Sequence, residues 1–420
     1  MTAAGNRSNL KWAICGLLFL ATCINYMDRS ALSLVEPILR HFLGGDQNPS
    51  LYNHLYSNIV NCFIFAYGVG FLVAGRVVDR IGVKKGYALS IGLWALASIS
   101  HAFARTALGF GLARFALGIG ESGNFPSALK ATADWFPTEE RALATGIFNS
   151  GTSAGALIAP LLIPFVAVRF GWQAAFYTTG TMGILWLLAW SLFPYDRLQS
   201  RFGNPAPVAL ANAPRATYRD VLFTAGTWRF AFSKGTTDCV WWFYLFWLPK
   251  YFNERFHVDM QHLGLPLIIV YVGATVGSIF GGWLAGFFIR HGASVRLGRR
   301  SAMFFCAACA VPVALVPFVH SLWQAIGLLC LATAAHQGWS SNLLSTPSDM
   351  FPSSSVGTVV GIGGAVGAVG SVFFTFMVGQ LWANYALVIF LVAGSIYLLT
   401  LFAFQWRAPA LVAPEHVSAD

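Results

Sequence analysis

Seven ionisable residues stand where the chain is otherwise apolar: Asp28 and Arg29, Arg114 and Glu121, Lys234 and Asp238, and His336. A full charge at a bilayer centre costs at least ~2.5–3.5 kcal/mol on insertion scales, so such groups tend to face a cavity and to bear on ligand or proton movement. Their spacing on helices separates their tasks. Asp28 and Arg29 are successive, about 100° apart around a helix axis, so they do not share one partner direction. Arg114 and Glu121 are seven apart and share a face, roughly 10 Å along the axis, too far for a tight pair. Lys234 and Asp238 are i, i+4, and read mainly as a local structural salt bridge. Three carboxylates thus oppose three cations, with a titratable His336 beside them. When a carboxylate takes a proton the set becomes net positive and attracts an anion, so proton and anion binding favour each other. Arginine suits a carboxylate ligand because its planar fork makes two parallel bonds.

Aromatic and amide residues near these charges are candidates for a polyhydroxylated ligand: Tyr26, Trp241, Trp242, Tyr244, Asn149, Gln337, Trp339 and Asn342. In a chain with 15% aromatics each ring is equally well explained by packing. Trp241 and Trp242 are successive and point different ways, so one of them at most is expected at the ligand. Other motifs carry less. Gly118 to Gly123 fits GxGxxG, but no strand precedes it, so its glycines and Pro126 read as thinning and bending a helix. Cys306 and Cys309 have redox spacing inside an apolar run and read as packing residues. The nine His are scattered, with no metal spacing and no nucleophile elbow, which leaves a membrane enzyme as a distant alternative. No metal or organic cofactor is implied.

The elements that must position these groups are membrane helices. The 420 residues are 56% hydrophobic and 10% charged, with mean hydropathy +0.62; soluble domains carry about 25% charged residues. Twelve apolar stretches are expected to cross: 11–37, 56–78, 86–104, 107–130, 141–166, 173–193, 228–250, 262–289, 301–319, 322–347, 355–381 and 385–406. The first reads as a retained span, because its run from Trp12 to Met27 is followed by Asp28 and Arg29 instead of a cleavage site. Eighteen of the 26 Lys and Arg flank one set of loop ends and five the other, which places both termini and the 194–227 loop in the cytoplasm. The +10 net charge is then a topology signal, and no basic soluble face exists for nucleic acid. The organisation expected is a bundle over 1–193, a Pro-rich linker over 194–227, a second bundle over 228–406 and a tail over 407–420.

The halves repeat at an offset of 215: ADWFP at 133–137 answers SDMFP at 348–352, Gly146-Ile147 answers Gly361-Ile362, and Glu121 falls opposite His336. Duplicated bundles are a transporter pattern, with the substrate held between them near the midplane. Between spans 2 and 3, residues 75–85 read GRVVDRIGVKK. This loop resembles the GxxxDRxGRK-type signature of the major facilitator superfamily. Gly75 would let two helices approach, Asp79 would accept a bond from a neighbouring helix end, and Arg80 would pair across a cytoplasmic gate, to which Asp134 and Arg141 are added.

NYMDR (25–29), the block from Ala113 to Pro160, AHQ…SDMFP (335–352) and TDCVWWFYLFWLPKYF (237–252) together resemble the anion:cation symporter branch of that superfamily, and bacterial hexuronate transporters within it. The resemblance implies an all-α membrane fold of twelve helices in two pseudo-symmetric six-helix bundles. It implies that Arg29 and Tyr26 contact the substrate, that Asp28 is proton-linked, that Glu121 is the main proton-coupling group modulated by Arg114, and that Asn149 makes a polar substrate contact. The expected protein is a monomeric, multi-pass transporter of the bacterial inner membrane that imports a sugar acid with protons, a hexuronate first and an aldonate, aldarate, tartrate or aromatic acid as the alternative. The stretch GIGGAVGAVGS (361–371) lacks an amide that some sugar-acid relatives use, which loosens the substrate and not the family.

Overall fold

The computed structural model describes residues 3–43, 47, 49–203, 217–258 and 264–403; the expected 407–420 tail and the centre of the linker lie outside them. Among the described residues there are helices and no strands. The first half contains α1 (Ala3–Leu34), α2 (Glu36–Phe42), α3 (Pro49–Ile81), α4 (Val83–His101), α5 (Ala107–Glu121), α6 (Asn124–Trp135), α7 (Thr138–Phe170) and α8 (Trp172–Leu192). Two short helices, α9 (Tyr195–Phe202) and α10 (Tyr218–Leu222), fall in the expected linker. The second half contains α11 (Ala225–Phe256), α12 (Gly264–Arg290), α13 (Val295–Ala310) with a 3₁₀ continuation (Val311–Phe318), α14 (Leu322–Met350) and α15 (Ser353–Ala403).

The described parts of the expected spans map onto these helices, with two physical departures; residues 262–263 and 404–406 of those spans lie outside the described residues. The fourth is broken: α5 ends at Glu121 and α6 restarts at Asn124. Pro126 sits in the first turn of α6, where its missing N–H is harmless. The last two spans form one unbroken helical run, α15, that nonetheless folds back. Phe374 and Phe390 lie sixteen residues apart, roughly 24 Å along a straight helix, yet their ring centroids stand 6.3 and 5.5 Å from the same Phe243 ring.

Six of the described helices are long and apolar enough to span on hydropathy alone, or seven if the bent α8–α9 pair counts as one. Among the rest, α11 holds Lys234 and Asp238 and α14 holds His336 and Gln337, polar groups that lower the mean hydropathy, and α5–α6 is interrupted beside Glu121.

Glycine sets the helix spacing at the broken span. A β-carbon on Gly120 would lie 2.6 Å from the Trp94 backbone nitrogen, and one on Gly118 2.6 Å from the Phe63 carbonyl. α5 therefore lies against both α3 and α4, as small residues permit in membrane helices. Gly82 links α3 to α4 in a single residue at φ 83°, a conformation that favours glycine.

Candidate functional site

Between the halves lies a cavity of about 300 Å³, lined by Tyr26 and Arg29 of α1, Asn61 and Tyr67 of α3, Phe125 of α6, Asn149 and Thr152 of α7, Lys234, Asp238, Trp241 and Trp242 of α11, His336 and Gln337 of α14, and the glycine-rich part of α15. It falls at the small end of the range typical of ligand pockets.

The charges divide as their helical spacing demands. Asp28 points away from the cavity into the first half, where Oδ1 accepts from the Ser98 hydroxyl at 2.6 Å and the Thr179 hydroxyl at 2.9 Å. Arg29 points the other way. Its Nε and Nη2 both donate to Glu121 Oε2, at 3.1 and 2.9 Å. Its guanidinium carbon lies 4.5 Å from the Tyr67 ring centroid and 4.7 Å from that of Tyr26, within cation–π range of both rings. Arg114 reaches the Arg29 carbonyl at 3.4 Å and does not bridge to Glu121 among the described contacts. Asp28 Oδ2 and Glu121 Oε1 are each buried without a hydrogen-bond partner.

The two halves meet through amides at the cavity wall. Asn149 Nδ2 donates to Gln337 Oε1 at 2.8 Å and to Ser278 Oγ at 3.3 Å, and Gln337 Nε2 donates to Thr152 Oγ1 at 3.4 Å. His336 stacks on Trp241, with centroids 5.5 Å apart and planes within 10°, and its Nδ1 lies 2.7 Å from the Tyr397 hydroxyl. Lys234 and Asp238 form the expected ion pair, and both line the cavity.

The end of the molecule carrying most of the basic loop residues is closed. Asp79 Oδ1 accepts from Lys130 Nζ at 2.9 Å and from the Gly357 amide at 3.1 Å. Asp79 Oδ2 accepts from the amide and hydroxyl of Thr358, both at 2.6 Å. A first-half carboxylate thereby sits over the second turn of α15 and ties the two halves through backbone amides and a hydroxyl. A β-carbon on Gly75 would run into the Gly357 carbonyl. Asp134 accepts from Ser353 Oγ at 2.7 Å. Arg141 donates to the Ser348 carbonyl at 2.6 Å, and Arg299 joins Asp349 at 2.9 Å and the Thr138 carbonyl at 2.9 Å.

Several expected site residues lie elsewhere. Tyr244, Trp339 and Asn342 are buried but do not line the cavity. Tyr244 packs beside Phe243, Trp339 lies against Tyr397, and Asn342 donates to the Gly281 and Gly338 carbonyls at 2.8 and 2.9 Å. Each sits on a face of its helix turned toward a neighbouring helix of its own half. Arg80, expected to pair across the gate, is exposed, and the cation on Asp79 is Lys130. Trp241 and Trp242 both reach the cavity, where one was expected, because the cavity wraps around that part of α11. Tyr67 and the Asp28 partners Ser98 and Thr179 are not among the expected site residues. Phe63, Tyr67 and Phe71 recur every four residues and form a ring ladder along α3, a readable signal. Lone hydroxyls inside apolar spans give none.

With this geometry in place, the comparisons are decisive for the family. The Major Facilitator Superfamily model matches residues 18–375. The chain belongs to that superfamily. It is 29% identical over 384 residues to the hexuronate transporter of Escherichia coli K12, covering 89% of this chain and 88% of that one. It is 29% identical over 293 residues to the galacturonate transporter of Dickeya chrysanthemi, covering 67% and 83%. The fold matches a solved structure of the proton:xylose symporter XylE bound to 6-bromo-6-deoxy-D-glucose, with a TM-score of 0.77, 15% identity, and 94% and 95% of the two chains covered. The superfamily chain is therefore a multi-pass membrane transporter and not an enzyme, and its cavity lies where the two bundles of such a fold meet.

Proposed function

We propose that this transporter is a proton-coupled symporter that imports a sugar acid, specifically a hexuronate such as galacturonate or glucuronate, by alternating access. The carrying observation is the Arg29–Glu121 pair. Arg29 lines the cavity, but both bonding nitrogens are held by one oxygen of a carboxylate buried behind it. A proton on Glu121 weakens those charge-assisted bonds. The fork then turns to a substrate carboxylate, and the substrate in turn holds Glu121 in its neutral form. Asp28 trades a second proton within the first half. Trp241, Trp242 and the Asn149–Gln337 amides offer stacking faces and hydroxyl partners suited to a sugar. Because Asn149 and Gln337 belong to different halves, a ligand that replaces their mutual bond bears directly on how the halves sit. The names of the two relatives support the sugar-acid assignment. The basic loop bias supports a chain in the inner membrane with both termini in the cytoplasm.

The test is uptake of labelled galacturonate into proteoliposomes. Accumulation is expected when the outside is acidic and is expected to collapse with a protonophore. Uptake indifferent to both refutes the coupling, and failure to bind galacturonate refutes the substrate.

A further inference from the structure

The Lys234–Asp238 pair was read from its i, i+4 spacing as a structural bridge, but a structural bridge needs no cavity. Both residues line the same cavity as Arg29, from the opposite half. Lys234 Nζ is bonded to Asp238 Oδ2, while Oδ1 takes no donor among the described residues. The carboxylate is also the more open member: its side chain is 22% exposed and that of Lys234 12%. Behind them Gly367 supplies no side chain, and a β-carbon there would lie 3.0 Å from Asp238 Oδ2 and 3.4 Å from Lys234 Cγ. The pair is thus seated against bare backbone at the cavity wall, with one carboxylate oxygen left without a donor among the described residues.

We propose that Asp238, held by Lys234, reads the end of the substrate opposite its carboxylate, accepting hydroxyl protons there and rejecting a second acidic group. This rests on the sugar-acid reading and narrows it to monocarboxylates with a hydroxylated far end. The chemistry is direct. A substrate bound by Arg29 through its carboxylate extends its other end toward α11. A hydroxyl arriving there donates to Oδ1 and makes a charge-assisted bond. A carboxylate arriving there meets a like charge, and the one nearby cation is already engaged. Charged and polar groups set specificity by such rejection as much as by attraction.

The experiment measures binding of D-galacturonate and of galactarate, its diacid counterpart, to the purified full chain in detergent, for wild type, Asp238→Asn and the charge-neutral double variant Lys234→Gln/Asp238→Asn. The double variant removes both charges and leaves no unpaired buried ion, so it serves if the single variant does not fold. Wild type is expected to prefer galacturonate by at least about tenfold, the worth of one hydrogen bond to a charged group. Asp238→Asn is expected to weaken galacturonate and strengthen galactarate, because Lys234 becomes free for the second carboxylate. The double variant is expected to lower the preference by a smaller factor. A variant that binds galacturonate with the wild-type preference unchanged overturns this proposal alone, as does a wild type that binds both compounds equally. A wild type that binds neither overturns this proposal together with the sugar-acid reading.

Discussion

Replacing Glu121 by Gln removes the carboxylate and keeps its shape. Glu121 Oε2 receives two bonds from Arg29, at 3.1 and 2.9 Å, and Glu121 is fully buried while the Arg29 side chain is 12% exposed. Unit charges at that distance attract by about 6 kcal/mol at an effective dielectric of 20, and deleting one partner of a buried pair typically costs about 3–5 kcal/mol of stability. The variant should therefore unfold at a lower temperature when empty. A substrate carboxylate that docks on the freed fork restores charge-assisted bonds of about 1.5–3 kcal/mol each, so substrate should stabilise the variant more than wild type. Three assays follow. Wild-type affinity for galacturonate should rise as pH falls, since a proton on Glu121 releases Arg29; in Glu121→Gln it should vary little with pH and be at least about tenfold tighter than wild type at alkaline pH, one charged hydrogen bond's worth. Proton-driven accumulation should be abolished. Exchange of external label for preloaded substrate should persist. Equal loss of accumulation and exchange, or an unchanged pH dependence of binding, refutes the coupling role.

Arg29→Lys keeps the charge but loses the fork and its seat between Tyr26 and Tyr67, so galacturonate affinity should fall by at least about tenfold in a titration; an unchanged affinity removes Arg29 from the carboxylate contact. Gly75→Val puts a side chain into the Gly357 carbonyl, and spin-label distances across the basic end should lengthen relative to wild type; unaltered distances show that this contact does not hold that end closed. Asp349→Asn leaves Arg299 and Arg141 without their shared carboxylate, and the melting temperature should drop by an amount matching about 3–5 kcal/mol, with Arg299→Leu/Asp349→Leu less damaging than the single change.

Much of this protein is written in one dimension because a bilayer penalises departures from its rules. Apolar length marks the spans, loop charge sets their alternation, and the 215-residue repeat announces two related bundles. A charge inside a span is costly enough that Asp28, Arg29, Glu121 and Lys234 could be singled out before any contact was known. Helical periodicity alone separated Asp28 from Arg29, since adjacent side chains diverge by about 100°. Periodicity says nothing of what waits in each direction. That Arg29 meets Glu121, ninety-two residues away, that Asp28 meets the hydroxyls of α4 and α8, and that Asp79 covers the start of α15 were decided by packing. The same holds for the expected residues that the cavity leaves out. Tyr244, Trp339 and Asn342 have the composition of ligand contacts, but a polar or aromatic side chain serves equally well between helices, and which face a helix turns inward depends on its neighbours. The Lys234–Asp238 pair shows the converse. Its spacing determined that the two residues would bond, and only the tertiary structure, by setting them against the backbone of Gly367 at the cavity wall, decided that the bond borders the cavity.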